Sequence, residues 1–202
     1  MKKILVLLLS FAFCLSACKT TLSQEQTKEA QQLATSLSAA GFLGTSFQNS
    51  SDFWEKYFAE EETYYIEELL LFYCLYHPNH PVYPEQLAAN DFETWITKYF
   101  DLPADLLHHS EEYQEETNSY IISVDISPEQ SLQVCQKYFH IDSISLETNK
   151  IKVDYRILWG DMAPSGHGEE FAYEGYLLLN QNLEPYGIDS CIITKDQSTE
   201  HL

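Results

Sequence analysis

A cysteine at position 18 stands directly after an apolar leader, where its thiol is open to modification. The chain opens with Met-Lys-Lys, continues with the apolar run of residues 4–15 and reaches Cys18 through the small residues Ser16 and Ala17. A positive start, an apolar core and a small-residue junction are typical of a secretory signal peptide. Because a membrane-spanning helix needs about 20 apolar residues, this shorter run predicts a cleaved signal and not a stable span.

The tetrapeptide Leu15-Ser16-Ala17-Cys18 resembles a bacterial lipobox. In that motif the cysteine thiol receives a diacylglyceryl group, with acyl chains such as palmitate, and becomes the first residue of the mature protein. Two acyl chains make a durable anchor, whereas one chain binds a membrane only marginally. We therefore expect a signal peptide over residues 1–17 and an exported lipoprotein held on the outer face of the cell membrane by Cys18.

The remaining chain is long enough for one domain but hardly for two. We expect a lipidated tether with a weak helix over residues 18–40, followed by a single globular domain over residues 41–202. Gly41 would stop the weak helix. The apolar residues of the tether have near-helical spacing: Leu22, Ala30, Leu33 and Leu37.

The chain carries 31 acidic and 11 basic residues in 202, a net charge of −20. Phosphate backbones would be repelled by this surface, which argues against nucleic acid as a partner. Anionic lipid headgroups would be repelled as well, so adhesion to the membrane must come from the lipid on Cys18. This negative charge either keeps the domain soluble and away from the membrane surface, or it attracts cations or a basic partner.

Three cysteines lie beyond Cys18, so the domain holds at most one internal disulfide. Cys74 lies in an apolar run and is expected to be a small buried residue without a partner. Cys135 and Cys191 either form a bridge or remain free, because sequence spacing alone does not fix a pairing.

Helical signals fill the first half of the chain. Residues 49–52 are expected to cap a short helix over residues 53–58. Residues 61–76 open acidic and become almost uniformly apolar, which predicts a helix inside a core, and Pro78 ends it. A further helix, capped by Asn90 or Asp91, carries a core-facing stripe of Phe92, Trp95, Ile96, Tyr99 and Phe100.

Beyond Tyr113 the apolar period changes to two, which predicts strands. Candidate strands are 120–124, 144–146, 151–157 with a turn before it at 147–150, 171–179 and 188–194. Consecutive strands with short turns favour an antiparallel meander. We therefore predict an α+β fold in which N-terminal helices pack on a C-terminal antiparallel β-meander.

Three apolar segments, residues 41–47, 68–77 and 95–103, are similar to uncharacterised lipoproteins of Gram-positive, clostridia-like bacteria. The similarity covers residues 41 to 195. It implies an extracytoplasmic location and a fold, and it implies no catalytic residue.

Signals for catalysis are weak. The chain has no Gly-x-Ser-x-Gly elbow, no His-Glu-x-x-His motif and no glycine-rich phosphate loop. A glycosidase needs only two carboxylates a few ångströms apart, so the many acidic residues leave glycosidase activity open as an alternative. The acidic runs at 60–62 and 111–116 are typical of solvated helix ends or loops.

Histidines are the candidate metal ligands, and they are His77, His80, His108, His109 and His167. Two imidazoles three residues apart could share an ion. No Cys-x-x-Cys pair or spaced carboxylate completes the set, and histidines beside prolines are typical of exposed loops. We therefore assign neither a metal nor a cofactor.

The segment 159–170 is the longest loop-like stretch between two predicted strands. Long loops on a rigid sheet often bind partners. We take Trp159, Met162 and His167 as a possible partner loop for an envelope protein, a peptide or a glycan, although a buried Trp159 would only fill the core. The sequence predicts a non-catalytic binding or envelope accessory lipoprotein, and the alternative is a cell-wall hydrolase or metal-binding lipoprotein.

Overall fold

Four long strands at the C-terminal end of the chain form one antiparallel sheet, and the described helices all precede this sheet in the chain. The computed structural model describes residues 21–44, 46–49, 64–77, 86–122, 128–158, 171–182 and 186–196. The helices are α1 (Gln24–Ala39), α2 (Tyr64–Tyr76), α3 (Ala89–Phe100), α4 (Ala104–Leu107) and α5 (Pro128–Tyr138), with a short 3-10 helix at Phe42–Gly44. The strands are β1 (Gln86–Ala88), β2 (Tyr113–Gln114), β3 (Ser119–Ile121), β4 (Phe139–Glu147), β5 (Lys150–Leu158), β6 (Phe171–Asn180) and β7 (Gly187–Asp196).

The large sheet has the strand order β4-β5-β6-β7, and each neighbouring pair is antiparallel. This order confirms the predicted meander and the α+β class. The predicted turn at 147–150 is also present, because Glu147 pairs with Lys150 across Thr148 and Asn149. The strand predicted at 120–124 is shorter, and it lies in a separate sheet of order β1-β3-β2.

Helix α1 is stronger than the weak helix that the sequence predicted. Ser23 and Gln26 form a capping box at its start, with the Ser23 hydroxyl accepting from the Gln26 amide at 3.1 Å. Its apolar side is fully covered, because Leu33 is 0% and Leu37 is 1% exposed. Burial against the rest of the domain stabilises a helix more than its propensity does, so polar composition alone understated α1.

Two further expectations were wrong. Helix α3 begins two or three residues earlier than predicted, after Ala88, and no side chain caps it. The backbone carbonyl of Asn118 accepts from the Ala89 amide at 3.0 Å and replaces the expected cap. Helix α5 lies where only strands were expected. Proline is common at the first position of a helix, so Pro128 was a helix-start signal, but the alternating apolar pattern around it led to the prediction of strands.

An aromatic cluster joins the helices. The rings of Phe72 and Trp95 lie 5.3 Å apart, and Phe72 also meets Tyr99 and Phe100 edge to face at 5.6 Å. These contacts confirm the predicted core-facing stripe on α3. The predicted helix at 53–58 and its cap lie outside the described residues.

Candidate functional site

A carboxylate on α3 joins a buried tyrosine and a half-exposed histidine. One oxygen of Glu93 accepts from the Tyr120 hydroxyl at 2.8 Å and lies 2.7 Å from Nε2 of His108. The three residues come from α3, β3 and the residue after α4. Glu93 is 16% and His108 is 38% exposed as side chains, so the cluster runs from the core to the surface.

Local geometry fixes each member of this cluster. Asp101 ends α3 in the left-handed conformation with φ 49°, which turns the chain toward α4 and His108. The imidazole of His108 stacks on Tyr113 with centroids 4.1 Å apart and planes 5° apart. Tyr113 in turn donates to the Asn118 side chain at 2.9 Å. The histidine is therefore held on two sides, by an acceptor and by a ring.

Burial and the neighbouring Glu93 carboxylate raise the pKa of Tyr120, with burial the larger cause. The phenol therefore stays protonated and remains a hydrogen-bond donor to Glu93.

Ser110 is 7% exposed, and its hydroxyl, like Oε2 of Glu112, is buried without a partner in the described part of the chain. Chemically, the Glu93 carboxylate can accept hydrogen bonds from both the Tyr120 phenol and the His108 imidazole.

A second feature is a groove of about 380 Å³ between the end of α2 and one face of α3, which we call the Trp95 groove. Tyr73 and His77 stack at 4.6 Å, and Tyr73 meets Trp95 edge to face at 5.0 Å. Burial, followed by the Asp91 charge, raises the pKa of Tyr73 to about 12. The polar side of the groove is formed by Asn90, Asp91, Thr94 and Lys98.

The Trp95 groove combines aromatic edges with a few convergent polar groups, which is the composition of many small-ligand sites. Amides, carboxylates and hydroxyls on one side can hydrogen-bond a polar ligand, and aromatic carbon on the other can cover its apolar part. The sequence predicted Trp95 as a core residue, and it is half-buried. Its place beside His77 could not be read from spacing, because His77 directly follows α2 whereas Trp95 lies on α3.

Among the described residues, the histidines singled out from the sequence lie in different places. Cys18, His80, Trp159, Met162 and His167 lie outside the described residues. His77 borders the Trp95 groove, whereas His108 belongs to the Glu93 cluster. Among the described residues, no group of three His, Cys, Asp or Glu side chains could hold a metal ion.

The cysteines of the domain are three separate buried thiols, Cys74, Cys135 and Cys191. The open question of a Cys135–Cys191 bridge is thereby answered, because both thiols are free. The Cys135 thiol donates to the Thr35 carbonyl at 3.4 Å, and Cys191 lies 3.1 Å from the Tyr155 hydroxyl. Burial raises the pKa of Cys74 to about 12 and of Cys191 to about 11, so both stay protonated.

None of the protein-family models, curated proteins or solved structures compared with the chain matches it. No helix in the described ranges is long and apolar enough to cross a membrane.

Proposed function

We propose that this protein is an exported lipoprotein, anchored on the outer face of the cell membrane through Cys18, whose α+β domain acts by binding. The observation that carries the proposal is the lipobox-like sequence at 15–18 followed, after four residues, by the cap of α1 at Ser23. A lipid at Cys18 would thus be joined almost directly to a helix of the core. That arrangement suits a domain held at the membrane.

Binding is favoured over catalysis by the composition of the Trp95 groove. It offers hydrogen-bonding groups and aromatic surface, and Ser or Cys nucleophiles are absent from its described lining. The ligand would be an envelope protein, a peptide or a glycan, in keeping with the outer face of the membrane. The acidic surface favours such ligands over nucleic acid.

The proposal is tested by the intact mass of the protein extracted from membranes of its natural host. We expect residues 18–202 plus a diacylglyceryl group. A Cys18→Ala variant should lose the lipid and the processed membrane form, whereas Cys14→Ala, a cysteine inside the leader, should keep both. An unmodified mass, or release of the wild type into the medium, would overturn the anchor.

A further inference from the structure

Strand β4 forms one edge of the large sheet and pairs only with β5 among the described strands. The bulge of this strand lies between Ile141 and Ser143. From Ser143 to Glu147 the register with β5 is regular. An edge of this kind presents a row of backbone donors and acceptors to any extended chain that comes alongside.

The turn after β4 determines which backbone groups face outward. Thr148 and Asn149 both have positive φ, 48° and 74°, as in a two-residue type I′ hairpin. In such a hairpin the closing pair, Glu147 and Lys150, exchanges hydrogen bonds, and bonded and non-bonded pairs then alternate. The N–H and C=O groups of Ile144 and Leu146 therefore point away from β5.

Within the described ranges, these four outward groups have no hydrogen-bond partner. No backbone or side-chain hydrogen bond of the described chain uses the N–H or C=O of Ile144 or Leu146 on that side. The two residues are spaced by two positions, which is the interval at which an added antiparallel strand forms its bonds. Neither proline nor lysine, the residues that commonly protect an edge, occurs in 143–147.

A groove of about 650 Å³ runs beside this edge. It is lined by three successive residues of β4, Ile144, Ser145 and Leu146. Because neighbouring strand residues point to opposite faces, a groove lined by three in succession lies along the edge and not over one face. Its other walls are the start of α1 and the hairpin turn, with Thr21, Leu22, Thr27, Thr148 and Asn149.

We propose that this groove, the β4 edge groove, binds an extended, basic segment of a partner polypeptide as an additional strand of the sheet. Backbone pairing to Ile144 and Leu146 would supply the affinity, as in other cases of β-strand addition. The described lining of the groove is uncharged, so the net charge of −20 acts from the rest of the chain, and it favours a segment rich in lysine or arginine. The same charge repels a second copy of this chain, so an edge-to-edge dimer is disfavoured.

The first test uses random nine-residue peptides displayed on phage as the probe and the intact chain as the target. We expect basic, proline-free sequences to be enriched. A Leu146→Pro variant removes one outward N–H while leaving the β4–β5 bonds, and it should lose this enrichment. The matched Leu146→Val variant keeps the N–H and should retain it. No enrichment, or equal enrichment on both variants, would overturn the proposal.

Amide hydrogen exchange on the wild type gives a second readout that does not depend on the folding of a proline variant. Without peptide, we expect the Ser145 and Glu147 amides to be protected by β5 and those of Ile144 and Leu146 to exchange quickly. A selected peptide should slow exchange at Ile144 and Leu146 by about tenfold or more. Unchanged exchange at these two amides would place the peptide elsewhere and refute the edge site. Because lipidation is not involved, either result leaves the proposed anchor intact.

Discussion

Glu68 is the described carboxylate whose protonation is most displaced by the fold. It lies on α2, and a Cβ added at Gly41 would be 3.1 Å from its Oε1, so the side chain packs against the backbone of that turn. Burial, followed by the charge of Glu67, raises its pKa from 4.5 to about 7. The folded protein therefore favours the neutral acid and binds a proton that the unfolded chain has lost at pH 6.

This shift predicts how stability depends on pH. A raised pKa gives a contribution that is complete below about pH 4.5 and is lost as the pH rises through 7. Glu68→Gln should therefore increase the free energy of unfolding at pH 8 by roughly 2 kcal/mol and change it little at pH 5. Urea unfolding at the two pH values measures this. The exposed Glu116→Gln exchange is the control, and an equal gain from both variants would contradict the assignment.

Tyr120 tests the Glu93 cluster. Tyr120→Phe removes a buried hydrogen bond to a carboxylate, and we expect a loss of roughly 1.5–3 kcal/mol in the free energy of unfolding. Tyr113→Phe is the matched control, because it removes a hydroxyl bonded to Asn118 in a more exposed place. Its expected loss is below about 1 kcal/mol. Similar losses from the two variants in denaturant titrations would mean that the hydrogen bond from Tyr120 to Glu93 stabilises the fold no more than an exposed one does.

At the scale of elements, the sequence could predict those features whose signals lie within a few residues of one another, and it missed those that depend on distant residues. The Glu147–Lys150 hairpin and strands β5 to β7 were predictable, since alternation and turn residues lie within a few positions of each other. Helix α5 was missed because its buried residues, such as Ser131 and Cys135, are small and do not form a strong apolar stripe. The Glu93 cluster was missed because Tyr120 approaches Glu93 only through the pairing of β3 with β1.

The capping box of α1 predicts that this helix unfolds together with the domain. Ser23→Ala removes the bond to the Gln26 amide, which typically costs about 1 kcal/mol. Because α1 is buried in the core, the loss should appear in the global unfolding transition. Gln32→Ala, at an exposed position of the same helix, should change stability by less than about 0.5 kcal/mol. A Ser23→Ala variant with the wild-type midpoint in urea would mean that α1 frays independently of the core.

At the scale of the whole molecule, the position of α1 changes how the proposed anchor would act. The sequence predicted a lipidated tether with a weak helix over residues 18–40. Helix α1 instead begins at Gln24, and Thr21 already lines the β4 edge groove. Three residues of extended chain span at most about 11 Å, so a lipid on Cys18 would place this groove beside the bilayer. A partner strand would then be bound close to the membrane surface.

Distances from the bilayer test this orientation in the lipidated protein. Asn149 lines the same groove as Thr21, whereas the exposed Val134 lies in a pocket with Ser38 and Ala39 at the other end of α1. The 16 residues of α1 separate its two ends by about 24 Å. We therefore expect a dye on Asn149→Cys to transfer energy to acceptor lipids in zwitterionic vesicles much more efficiently than a dye on Val134→Cys. Equal transfer from the two positions would show that the domain tumbles freely on its anchor, and stronger transfer from position 134 would reverse the orientation. Either result would separate the β4 edge groove from the membrane surface.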